Sequence, residues 1–225
     1  LDEVDQAGKL AALAATYEQA RVQAPDLLDK AKAQLEKAQA KGEYEPPSGL
    51  TLAEAKQTRL DAEARLAAAQ KRLEDLTAEI KRRTERRADL PRLIADAKAQ
   101  RDSLAKEPDT SKDPPAVAQA KALLLQAQRL AADQRSEAFE KERLSYQADG
   151  DLLAVQRDLA AGEVARVEKE VKVLEQVVNN LRRREAEVEA SEARRAAAEA
   201  PPAARELAEE NENLAALNIG SEGVP

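Results

Sequence analysis

Between residues 151 and 200 the apolar positions recur every seventh residue. Leu153, Ala160, Val167, Leu174, Leu181 and Val188 form one row, and Val164, Val171 and Val178 form a second, three residues ahead of Val167, Leu174 and Leu181. Two rows spaced alternately by three and four residues place an apolar seam along one side of an α-helix. Such a seam must bury against another helix. A straight helix of roughly fifty residues would be about 75 Å long at 1.5 Å per residue, so the pattern predicts a rod.

The same period runs earlier. Leu66, Leu73, Ile80 and Ile94 make one row, and Leu76, Leu90, Ala97 and Leu104 the other, with Arg83 and Arg87 breaking them. A third helical stretch holds Val117, Leu124, Ala131 and Ala138, with Leu123, Leu130 and Leu144 alongside. Punctuation between these runs predicts the organisation. Residues 1–41 are a helical segment with a break at Pro25, and 42–50 a loop around Pro46 and Pro47 that leaves Tyr44 exposed. Residues 51–106 are a long helix opened by a Thr51–Glu54 capping box and kinked near Pro91, or started afresh there with Asp89 as cap. A turn follows at 107–114, then a helix at 115–147 capped by Asp113. The break at Gly150 leads into the heptad helix, 148–200. A short helix at 201–217 and a disordered tail at 218–225 end the chain. Pro25, Pro91 and Gly150 are the candidate hinges.

Short connections force antiparallel neighbours, so residues 52–106 are expected to fold back on 115–200. Val in one row and Leu in the other also suits a parallel dimer. The fold class expected is all-α, an elongated antiparallel coiled coil or long-helix bundle.

Composition narrows function. Of 225 residues one is Phe, three are Tyr, and there is no Trp, Met, Cys or His. Without His or Cys there is no imidazole base, thiolate nucleophile or ordinary zinc site. Carboxylate chemistry needs a desolvated pocket that paired helices do not provide. No phosphate loop or nucleophile elbow occurs. The expectation is therefore no enzyme, no cofactor, no metal and no small-molecule substrate. A net charge of −7 argues against nucleic acid. No apolar run approaches a membrane span. The first residue is Leu and no signal peptide is visible, which suggests a mature product or a fragment.

The most basic stretch runs from Lys81 to Arg87. Arg82, Arg83, Arg86 and Arg87 are candidates for weak contact with lipid, cell envelope or an acidic partner, against the plainer reading of a solvated helix face. Arg182, Arg183 and Arg184, bounded by glutamates, read as solvated. Asn179 and Asn180 either fix register or point outward. Phe139 and Tyr146 are expected to fill the seam near the break.

The segment Leu144 to Glu187 carries a resemblance. Leu152 to Asp158 reads Leu-Leu-Ala-Val-Gln-Arg-Asp at the start of the long helix, and Leu174 to Arg183 holds Val-Val-Asn-Asn-Leu-Arg-Arg. Together with Gln23-Ala24-Pro25, Leu90-Pro91 and Arg205 to Asn211, these resemble the N-terminal periplasmic helical region of large MscS-like mechanosensitive channels, the MscK type. The likeness covers about residues 15–215; the Asp113 to Pro115 loop and the tail do not take part. It implies a periplasmic part of a bacterial inner-membrane protein concerned with ion transport under osmotic stress. Its partners would be the rest of the channel polypeptide and the other subunits. The family's pore residues have no counterpart here. On this basis the chain is expected to be a non-catalytic strut, assembly or force-modulating module. The rival is a scaffold or dimerisation rod of a soluble complex.

Overall fold

The computed structural model describes residues 2–106, 113–201 and 203–221. The described residues form five helices: α1 (Asp2–Gln39), α2 (Leu52–Ser103), α3 (Pro115–Ala148), α4 (Gly150–Glu199) and α5 (Arg205–Ser221), with no strand among them. The fold class is all-α.

Local chemistry explains the helix ends. The backbone N–H of Thr51 donates to Glu54 Oε2 at 2.9 Å, and the Glu54 N–H donates to Thr51 Oγ1 at 3.3 Å. That reciprocal pair satisfies donors the first turn of α2 would otherwise leave unmet. Just before it, Gly49 takes φ 79°, a left-handed value that suits glycine at the third position of a tight turn. Pro115 opens α3, where its missing N–H is not needed.

The chain divides into two compact units. The first holds residues 1–40 and 72–161. Here α1 packs on α3 through alanines. Ala7, Ala14, Ala24 and Ala31 are all buried, and side chains this small let helix axes approach at the low end of the 8–10 Å range. Against α3, α2 runs antiparallel. Lys98 pairs with Glu140, Gln100 accepts from Arg135, and the carbonyls of Leu104 and Ala105 accept from Arg129. Leu90, Ile94 and Tyr146 form the large-residue core, with Tyr17 and Phe139 packed against it.

The second unit holds residues 41–71 and 162–225. Ala55, Ala62 and Ala69 of α2 are buried, as are Val167, Glu170, Leu174, Val178, Ala186 and Ala190 of α4. Arg65 forks onto the Glu170 carboxylate at 2.6 and 3.1 Å.

Several expectations change. Neither Pro25 nor Pro91 ends a helix, since α1 and α2 run through them. In each case the neighbours on the inner face are buried (Ala24, then Leu90 and Ile94) while the proline ring is exposed. Packing on the inner side outweighs the hydrogen bond a helical proline deletes. Asp89 therefore caps nothing and lies exposed inside α2. Asp113 is no cap either; it pairs with Lys121 at 2.7 Å, and the cap position of α3 is Pro114. Tyr44 is half-buried rather than exposed. At Gly150 the interruption is a single residue, Asp149, in helical conformation. Its N–H donates to the Ser145 carbonyl and its carbonyl accepts from Leu153, so helical hydrogen bonding passes across. Helix α5 continues to Ser221, into the tail expected from 218. The rest of that tail, and most of the turn expected at 107–114, lie outside the described residues.

Candidate functional site

The seam residues divide by burial. Leu90, Ile94, Val167, Leu174 and Val178 are buried. Leu66, Leu73, Leu76, Ile80, Leu153, Val164, Val171 and Leu181 are half-buried. Val188 is exposed at 54%, with Ala186 and Ala190 taking the inner positions instead. A strict seven-residue row falls behind a straight α-helix by about 20° per heptad, hence by about 80° between Ala160 and Val188. The row rotates off the packed face before it ends. On α3, Val117, Leu123, Leu124, Leu130 and Leu144 are also exposed.

The arginine stretch turns inward. Arg83 occupies the position between Leu76 and Leu90 in the α2 row. It donates to Asp149 Oδ2 at 3.2 Å, pairs with Glu79, and lays its guanidinium over the Tyr146 ring, 4.9 Å from the centroid. One turn on, Arg86 forks onto the Glu142 carboxylate at 2.8 and 2.9 Å and covers the Phe139 ring at 5.4 Å. Ser145, fully buried, donates its hydroxyl to the same Asp149 oxygen at 3.3 Å. The α3–α4 junction is thus held from α2 by two arginines. Arg82 faces outward and is paired with Glu79 at 2.7 Å; Arg87 is exposed. Arg83 and Arg86, candidates for lipid or partner contact, are drawn toward the buried carboxylates and aromatic faces of this unit.

Around these pairs the site is dense in charge. Glu18 on α1 accepts from Lys141 on α3 at 3.0 Å. Tyr17 meets Tyr146 edge to face, centroids 5.9 Å apart. Burial first, then the nearby Glu142 carboxylate, push the Tyr17 phenol well above its ordinary range. Hydrogen bonds from Arg82, then from Arg83, hold Glu79 down at about 2. Arg21 and Lys141 do the same for Glu18, also about 2.

Chemically the arrangement ties helices together. Glu18, Glu79, Glu142 and Asp149 are each engaged by a cation. Among the described residues no group of three carboxylates is placed to hold a metal, and no helix is long and apolar enough to cross a membrane. An open groove on α4, lined by Leu181, Arg184, Glu185, Val188 and Glu189, is a surface feature of one helix.

Glu142, Asp149, Tyr17, Arg65 and Glu170 were not among the residues expected to matter. A signal for two of them existed. Glu142 and Asp149 stand seven apart, on α3 and at its C-cap, an acidic pair that matches the arginines of α2.

The family model of the mechanosensitive ion channel porin domain matches residues 1–218. No curated protein and no solved structure matches the chain.

Proposed function

The chain belongs to the mechanosensitive ion channel porin domain family and is part of a mechanosensitive channel, and from that premise we propose that it is a non-catalytic strut that sets how the channel assembles and responds to force. On this reading it lies on the periplasmic side of the inner membrane, and its partners are the remainder of the channel polypeptide and the neighbouring subunits.

One observation carries the proposal. Helix α2 is continuous from Leu52 to Ser103 despite Pro91, and is cross-tied by Arg83 and Arg86 to Asp149 and Glu142. A continuous helix passes displacement along its axis. The bidentate Arg86–Glu142 pair and the single Arg83–Asp149 bond keep it from sliding against its neighbours, because slippage would strand the buried Glu142 and Asp149 charges.

Patch recording of the full channel with and without residues 2–217 tests the proposal. Removal is expected to shift the membrane tension of half-opening, or to reduce the number of assembled channels, with single-channel conductance unchanged. Equal tension and equal assembly would overturn it.

A further inference from the structure

Of the three candidate hinges, Gly150 alone lies where one helix gives way to another. Helical bonding passes through Asp149 itself, from Ser145 and on to Leu153, but not through its neighbours. Gly150 does not donate to the Tyr146 carbonyl, nor Leu152 to that of Ala148, so α3 and α4 meet with two backbone bonds missing. Shape does not require a glycine there. Its φ is not positive, and a Cβ would meet nothing within 4 Å. What Gly150 contributes is backbone freedom, since alanine favours a helix over glycine by about fivefold. The break is also held from the side. Asp149 is only 8% exposed, and its Oδ2 accepts from Arg83 Nη1 of α2 at 3.2 Å and from the buried Ser145 Oγ at 3.3 Å.

We propose that residues 149–152 are a latched joint: α3 and α4 flex against each other there, and Arg83, acting through Asp149, holds the joint shut. A buried carboxylate deprived of its cation is drawn to water. Asp149 has a single methylene, so its carboxylate reaches water by turning the backbone at 149–150 rather than by swinging a long side chain. The two missing bonds and the glycine leave little to oppose that turn. Arg83 stands on α2, so the latch is released by any displacement that draws α2 away from the junction. Sixty-six residues of sequence separate the latch from its catch, and the joint therefore reports on tertiary packing rather than on local helix strength. This joint is a property of the chain by itself, independent of the strut reading.

Distance measurement by double electron–electron resonance on the 225-residue chain tests it. The chain has no cysteine, so Asp133→Cys with Arg157→Cys takes two spin labels without background. Both positions are exposed and lie in the same compact unit, on either side of the joint. Along a helix they stand about 36 Å apart. The labelled parent should give one narrow distance. Arg83→Gln should add a broad, shorter population, and Gly150→Ala placed on top of it should reduce that population about fivefold. A narrow distance in Arg83→Gln, or a broad one in the parent, would overturn the proposal. So would a broad population that Gly150→Ala leaves unchanged, because the loosening would then belong to the whole unit and not to the joint. If Arg83→Gln loses its helical circular dichroism, Ser145→Ala takes its place, removing the second hold on Asp149. It should broaden the distance to a smaller degree, and an unchanged distance there would equally overturn the proposal.

Discussion

Arg86 and Glu142 meet through two parallel hydrogen bonds of 2.8 and 2.9 Å, with the glutamate side chain only 3% exposed. Bidentate geometry and a desolvated acceptor make this pair stronger than the surface pairs around it. Removing one partner leaves the other's charge without its counterpart. A double-mutant cycle of Arg86→Met and Glu142→Met, read by urea unfolding, should give a coupling of about 1–3 kcal/mol. The same cycle on the exposed Arg92–Asp96 pair should give under about 0.5 kcal/mol.

Pro91 sits on the exposed side of α2, which continues through it beside the buried Leu90 and Ile94. A proline inside a helix costs about 3 kcal/mol relative to alanine. Pro91→Ala should therefore raise thermal stability by about 1–3 kcal/mol without changing the helix content. Destabilisation would mean that the proline shapes α2 in a way its neighbours depend on.

Glu79 titrates at about 2, held down by Arg82 and Arg83, against an ordinary value of 4.5. A carboxylate whose folded pKa is depressed adds stability above its unfolded pKa. That contribution is lost as pH falls through the folded value. Urea midpoints should thus decline from about pH 5 down to pH 2, and Glu79→Gln should flatten part of the decline. Glu18, also near 2, contributes in the same window.

At the alkaline end Tyr17 and Tyr44 are both pushed up, Tyr17 the more strongly. Its phenol is pushed up by burial and by Glu142, so its contribution is present below its unfolded pKa and lost as pH rises beyond it. Absorbance titration near 295 nm should show Tyr17 still protonated where Tyr in a denatured chain has ionised, about pH 10. Tyr17→Phe should reduce the loss of stability between about pH 10 and 12.

Much of the fold is visible in the sequence because a heptad row is a long-range order written locally. Val167, Leu174 and Val178 lie at seam spacing and are buried. Alanine is harder to read. Ala55, Ala62 and Ala69 continue the row of Leu76 and Leu90, yet alanine suits exposed helix equally well, so only packing distinguishes the two. Arg83 looked like an interruption because its partner Asp149 stands 66 residues away. A charged residue in a seam is a defect until its counter-charge is found, and sequence does not measure that distance. Proline misled in the opposite direction. Its local preference to end a helix is real, but the buried faces beside Pro25 and Pro91 outweigh it.

The central claim is that force response depends on α2 being tied to the α3–α4 junction. The most direct measurement is the half-opening tension of the full channel carrying Arg86→Glu, Glu142→Arg, or both. Each single reversal places like charges together and should shift the tension, while the double swap restores the pair and should return the tension to wild type. If both single reversals loosen the domain, as limited proteolysis would show, yet leave the tension unchanged, the claim is contradicted.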